Sequence, residues 1–320
     1  MSRRGENIRK RTDGRWEGRY IEKYDINGKA CYRSVYSSSY TELKHKLKEY
    51  KNKKTKPIKY NIGIESLCNE WLLSKEIIIK QSTYMNYHTV INNHIIPYFK
   101  NKKVKCLTNE SIDLFIAEKA ICLSEKTVHD IVTVLKQIIR YAQTKQYIEY
   151  FDFNINQPKI QNKDLPVLNK YEHSKLISYI QLTFDINKIG VLFSLFMGIR
   201  LGEICALKWE DVNFETGTLR INKTMQRIKN LDTNSENKTK IVIDKPKSQK
   251  SIRNIPIPSF ILELLKDYKS EENNYLLTGT KNYIEPRVYQ EMFKKYLKQA
   301  GIENINFHAL RHTFATRAIE

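Results

Sequence analysis

The sequence predicts a multidomain α+β protein: a small three-stranded sheet plus helix at the N-terminus, an all-α middle, and a mixed α/β, mostly helical C-terminal part. Three observations predict it. Strand-like alternation runs through residues 13–38, helical periodicity fills residues 62–157, and helical and strand patterns mix from residue 165 onward. With 320 residues and 41% hydrophobic content, the chain can give each part its own core.

The N-terminal stretch "DGRWEGRYIEKYDINGKACYRSVYSS" alternates, carries turn signals at Asp13-Gly14 and Asn27-Gly28, and leads into the helical "SYTELKHKLKEYKNKK". Alternation places Trp16, Gly18 and Tyr20 on one face of a strand and Arg15, Glu17 and Arg19 on the other. The aromatic face is expected to pack on the helix, with the arginine face outward. An arginine-bearing twisted ribbon fits a DNA major groove, and ordinary surface arginines give the same pattern. From Lys51 to Asn61 the chain is polar, Lys-rich and broken by Pro57, which reads as a linker. The domains are therefore expected at residues 1–56, 62–157 and 165–320.

In the middle domain, "IESLCNEWLLSKE" and "KTVHDIVTVLKQIIRYAQTKQYI" repeat apolar residues at intervals of three and four, as helices do. Two helices are expected to open on N-cap chemistry, at Ser82-Thr83 just after Lys80, and at Ser124-Glu125-Lys126-Thr127. Such ends gather hydroxyls and unbonded amides; they serve as plain caps and can also grip a phosphate. A second connector, "NQPKIQNKDLPVLNK", holds Pro158 and Pro166.

Charge narrows the choice of partners. The chain has 55 Lys/Arg against 35 Asp/Glu, a formal net charge of +20, which points to a polyanion, nucleic acid first, or else to a solvated Lys-rich surface. Residues 1–60 are the most basic part, with 18 basic against 7 acidic residues. The five cysteines, Cys31, Cys68, Cys106, Cys122 and Cys205, show no C-x-x-C spacing for a metal or redox site and read as reduced thiols. No apolar run is long enough to span a bilayer, and "MSRRGENIRKR" has no apolar segment behind it, so a cytoplasmic protein without a membrane role is expected.

The C-terminal part carries the chemistry. In "GVLFSLFMGIRLGEICALKWEDVNF" the run Val191–Ile199 is almost wholly apolar, which predicts a buried helix with Arg200 emerging at its end. An arginine beside a core needs an anion, either an internal carboxylate (Glu203 or Asp211) or a bound phosphate. Alternation in Ile241–Ile243 and Ile252–Ile257 suggests two strands with Lys245, Lys247 and Lys250 in the turn between them, where lysines are ordinarily solvated. In "NFHALRHTFATRAIE", His308 and Arg311 lie three apart on a predicted helix start and face one way, and His312 can share that face.

Taken together, "GIRLGEICALKWEDV", "KPKSQKSIRNIPI" and "HALRHTFATR", in this order and spacing, resemble the arginine, β-hairpin lysine and His-x-x-Arg motifs of the tyrosine recombinase family, of phage and conjugative-transposon integrase type. The resemblance implies an arm-type DNA-binding domain at the N-terminus, with Arg15 and Arg19 on DNA, and a helical core-binding domain touching DNA through Lys80, Ser82, Thr83, Lys126 and Thr127. It also implies a catalytic domain in which Arg200 and Arg311 clamp the scissile phosphate, Lys247 protonates the departing 5′ hydroxyl, and His308 assists proton transfer at the nucleophile. Glu203 and His312 would support them from behind. No metal, nucleotide or other cofactor is implied, because a covalent phosphotyrosine conserves the bond energy. The implied partners are double-stranded DNA with core-type and arm-type sites, further copies of the chain as a tetramer on DNA, and an accessory DNA-bending or excision factor.

In the family, the nucleophilic tyrosine lies some tens of residues past the His-x-x-Arg motif. Here none of the 20 tyrosines follows Arg311, and the sequence stops at Glu320 inside a helical pattern with no Gly, Asn or Pro stop signal. The expectation is a shortened chain that binds DNA but does not cleave it. The alternative is a non-catalytic DNA-binding integrase remnant, against which the complete Arg200, Lys247, His308 and Arg311 set argues, since a binder needs no general acid. A type IB topoisomerase shares the chemistry but gives no reason for the small N-terminal module.

Overall fold

The computed structural model describes residues 7–24, 30–52, 62–149, 166–232, 235–244, 252–303 and 305–319. The chain divides into two compact units, Met1–Gln161 and Asn162–Glu320.

The first unit opens with an antiparallel sheet of β1 (Ile8–Lys10), β2 (Trp16–Tyr24) and β3 (Ala30–Ser37), in the order β1-β2-β3, followed by α1 (Tyr40–Asn52). The strand predicted at Trp16 is the second of the three. The first, "IRK", is too short for alternation to mark. Between them the chain turns at Gly14, whose φ of +83° suits glycine. The predicted Asn27-Gly28 turn and Lys51–Asn61 linker fall wholly or in part outside the described residues. Trp16, Tyr20 and Val35 pack with Ile8 against Leu43, Leu47 and Tyr40 of α1. The helix comes so close that a Cβ on Gly18 would sit 2.5 Å from Leu47 Cδ1. The aromatic face therefore meets the helix, as alternation predicts.

Helices α2 (Ile64–Lys75), α3 (Gln81–Val90), α4 (Ile96–Phe99), α5 (Asn109–Cys122) and α6 (Glu125–Thr144) follow, with a π turn at Ile91–Ile95 joining α3 to α4. Their apolar stripes close a core around Leu67, Trp71, Ile95, Phe99, Phe115, Ile131 and Ile138. Glu70 of α2 accepts hydrogen bonds from the hydroxyls of Tyr141 at 2.8 Å and Tyr147 at 3.1 Å, tying the end of this domain to its start.

The second unit comprises α7 (Lys170–Leu182), α8 (Ile189–Met197), α9 (Leu201–Ile204), β4 (Val212–Asn213), β5 (Thr218–Ile221), β6 (Thr224–Lys229), β7 (Thr239–Asp244), β8 (Arg253–Pro256), α10 (Ser259–Lys266), α11 (Pro286–Gln299) and α12 (His308–Arg317). Helix α8 is buried on all sides, as its composition predicts, and packs in one core with Leu219, Ile261, Tyr289, Phe293, Phe307 and Leu310. The two predicted strands exist, but they do not form a hairpin. β7 pairs with β6 and β8 pairs with β5, in two antiparallel sheets ordered β6-β7 and β4-β5-β8. Alternation fixes a strand's faces and leaves its partner open, so adjacency in sequence misleads here. Among the described residues, no helix is long and apolar enough to cross a membrane.

Candidate active site

Helix α8 ends at Gly198, whose φ of +63° and amide bond to the Ser194 carbonyl (3.1 Å) form a left-handed cap. A side chain is excluded twice over, since a Cβ there would lie 2.6 Å from the Phe314 ring of α12. This reversal delivers Arg200 to the surface as the N-cap of α9. Glu203, three residues on, accepts from the Arg200 amide at 3.1 Å and from its guanidinium at 3.1 Å. Of the two internal carboxylates available to Arg200, Glu203 takes the role. Asp211 instead accepts the Lys208 amide at 3.0 Å.

Glu203 is buried, and it has a second cationic partner that sequence reasoning missed. Arg253, at the start of β8, forks onto both carboxylate oxygens at 3.1 and 2.9 Å. Burial pushes the Glu203 carboxyl up, but Arg253 and Arg200 together outweigh it and hold it below the usual range. The signal for Arg253 was present. In "IRNIPI" it shares a strand face with Ile255 and Ile257, and an arginine on an apolar face needs an acid.

Arg311 approaches from α12 and donates through a terminal nitrogen to the Gly198 carbonyl. Burial lowers its pKa, and Arg200 lowers it further. Among the described residues no carboxylate forms an ion pair with Arg311. Glu203 is near enough to act on it but is already occupied by Arg200 and Arg253. His308, in the first turn of α12, lies with its ring centroid 4.6 Å from that of His312 and perpendicular to it, so the two share a face. Burial, His312, Arg311 and Arg200, in that order, lower the pKa of His308. The start of α12 is held by Asn306, which accepts the Ala309 amide at 3.0 Å, and its middle by Thr313, whose hydroxyl accepts the Leu168 amide at 2.9 Å.

Arg200, Glu203, His308, Arg311 and His312 therefore come together, with Arg253 behind them. Lys247, like Lys245 and Lys250, lies outside the described residues. The cluster gathers positive charge, and among the described residues the Arg311 guanidinium in it has no carboxylate paired with it, an arrangement that suits an anion.

The other sequence-predicted DNA contacts, Arg15, Arg19, Lys80, Ser82, Thr83, Lys126 and Thr127, belong to the first unit. Lys80 is the N-cap of α3 and no side chain caps that helix. The expected cap at Ser82-Thr83 is thus incorrect, because the helix already begins at Gln81 and both hydroxyls fall within its first turn. Ser124 does cap α6, accepting the Thr127 amide at 3.3 Å, with Lys126 exposed beside it. Arg15 lies in the turn before β2 and pairs with Asp13 at 2.9 Å, and Arg19 lies on the outward face of β2 beside Glu17.

Residues 166–320 match the phage integrase family, and residues 64–120 match the phage integrase N-terminal SAM-like domain. A XerC-like tyrosine recombinase of Caldanaerobacter subterraneus is 25% identical, with 92% of this chain and 83% of the relative aligned. The ICEBs1 integrase of Bacillus subtilis is 24% identical over 85% of this chain and 76% of its own length. The fold is shared with the Tn1549 transposon integrase solved with circular intermediate DNA, at TM-score 0.64 and 17% identity, covering 81% of this chain and 87% of that one. It is shared also with the lambda integrase tetramer solved on a Holliday junction, at TM-score 0.56 and 15% identity, covering 97% and 90%. Two matches to phage integrase models in chain order, over residues 64–120 and 166–320, lead to one conclusion: this chain belongs to the phage integrase family.

Proposed function

We propose that the protein is a site-specific DNA recombinase whose second unit binds the phosphate to be broken between Arg200 and Arg311. One observation carries this: two arginines 111 positions apart in sequence are close enough that Arg200 lowers the pKa of Arg311, and among the described residues no carboxylate pairs with Arg311. A phosphate diester supplies the missing charge, and two planar forks match its oxygens. As the tyrosine oxygen attacks phosphorus, the bond to the 5′ oxygen breaks and that oxygen takes its electron pair. Lys247 gives it a proton, while the arginines stabilise the charge of the pentacoordinate state. His308, kept neutral at ordinary pH, is suited to accept the tyrosine's proton.

In this reading residues 1–56 hold arm-type sites, residues 62–157 hold core-type DNA, and copies of the chain assemble as a tetramer on DNA. Since no tyrosine follows Arg311, residues 1–320 alone bind duplex DNA without forming a covalent bond to it. The test is a gel-shift and denaturing-gel assay of residues 1–320, next to a chimera extended past residue 320 with the tail of the ICEBs1 integrase. Binding by both, with a denaturant-resistant 3′-phosphate adduct for the chimera only, is expected. Failure of residues 1–320 to bind duplex DNA, or an adduct formed by them alone, would overturn it.

A further inference from the structure

The outward face of the N-terminal sheet holds a buried carboxylate. Glu17 faces away from α1, yet only 2% of it is exposed. Its cover is made of arginines. Arg9, opposite it on β1, donates from Nε at 2.8 Å, with a terminal nitrogen at 2.7 Å. Arg19, two residues along β2, donates from Nε at 3.2 Å, and Arg11 brings a terminal nitrogen to 3.7 Å. The Ser34 hydroxyl adds a bond of 2.8 Å from β3. Arg9 and then Ser34 draw the carboxyl down to about 2, so it is charged at any physiological pH. Beyond it, the guanidinium groups of Arg11 and Arg15 lie 5.4 and 5.8 Å from the ring centre of the half-exposed Tyr36.

A face meant only to attract a polyanion gains nothing from a buried acid, which cancels charge that would otherwise release counterions. The acid has a use when sequence must be read. A base edge such as guanine O6/N7 is read by two nitrogens of one guanidinium, held at a fixed angle. Arg19 is held through Nε, which leaves both of its terminal nitrogens for such a pair. Resting on the DNA-binding reading of residues 1–56, we propose that Glu17 is a specificity-determining residue of this face, one that aims Arg19 at base edges and withdraws Arg9 and Arg11 from phosphates.

The test compares residues 1–320 carrying Glu17, Glu17→Gln or Glu17→Thr, the threonine being a second acid-free variant that suits a strand. Each is measured on a random-sequence 30-bp duplex across a salt series, and each is used to select from a random duplex library. Without the acid, the salt slope should steepen by about one, with affinity for random duplex rising on the order of tenfold at 50 mM salt. The selected sequences should lose information at one or more positions. An Arg9→Ala/Arg19→Ala double variant is the control. If it leaves the affinity and the slope unchanged, the DNA-binding reading of this face fails. If it flattens the slope while both Glu17 variants keep the parental slope and parental selected sequence, that reading stands and the role given to Glu17 is wrong.

Discussion

Two carboxylates hold arginines in this protein, in opposite surroundings. Glu17 lies on an open sheet and is covered by Arg9, Arg11 and Arg19, whose side chains are 61%, 39% and 52% exposed. Glu203 lies against the large core of the second unit, held by Arg200 at the surface and Arg253 deeper in. At Glu17 each neighbouring arginine shares the acid. At Glu203 one arginine, Arg311, is left with a backbone carbonyl. The first arrangement spreads modest charge along strands, which suits a long polyanion. The second concentrates an unmatched charge at one point, which suits one phosphate. Similar parts thus yield a shared, spread charge in one place and a candidate reaction centre in the other.

The sharpest way to break the comparison is to separate rate from affinity. In a protein completed with a nucleophile, Lys247→Ala should bind DNA normally and cleave it roughly 10²- to 10⁴-fold more slowly, the usual cost of losing a general acid. A substrate with a 5′-bridging phosphorothioate, whose sulfur leaves without a proton, should restore cleavage. Substitution of Arg9 or Arg19 should do the reverse, weakening binding while bound complexes cleave at the normal rate. Rescue of Lys245→Ala or Lys250→Ala instead, with Lys247→Ala fully active, would assign the acid to another lysine.

A smaller effect tests whether the kind of cover, exposed arginines at Glu17 and a core at Glu203, separates the two carboxylates. Arg253→Ala leaves the buried Glu203 with Arg200 alone and should cost the second unit about 1–3 kcal/mol, as lost hydrogen bonds to a charged group do. That corresponds to a drop of several degrees in Tm for a unit of this size. Arg9→Ala should cost less, because water can reach Glu17 once its cover is gone. Equal losses in calorimetry would show that the kind of cover does not distinguish them.

Much of this could be read from the sequence because the relevant signals are local. The apolar run to Ile199 gave the buried helix, alternation gave the two faces of β2, and the spacing of His308, Arg311 and His312 put them on one side of α12. What escaped depends on pairing at a distance. Strand β8 joins β5 rather than its neighbour β7, and that is what sets Arg253 beside Glu203, fifty residues earlier in the chain. The cap expected at Ser82-Thr83 failed for the opposite reason: hydroxyls signal a helix start, but the chain had already begun to coil at Gln81 after an extended Lys80.

Acid offers the finest separation of the two regions. The folded pKa of Glu17, about 2, lies below its ordinary value near 4.5. Below pH 4.5 the unfolded chain therefore takes a proton that the folded sheet refuses. The stability this carboxylate lends is complete above 4.5 and is lost as pH falls toward 2. His308 is also depressed, from an ordinary value near 6.5, so its protonation already opposes folding of the second unit just below pH 6.5. Mild acid should therefore weaken the second unit first, with the N-terminal sheet following only at lower pH. Burial heads the causes at His308, and the charges of His312, Arg311 and Arg200 follow. A phosphate seated between the two arginines would offset those charges. NMR titration of the His308 ring should then give a midpoint below 6.5 in the free protein and a higher one with duplex DNA bound. An unchanged midpoint would mean that the bound phosphate sits away from this histidine.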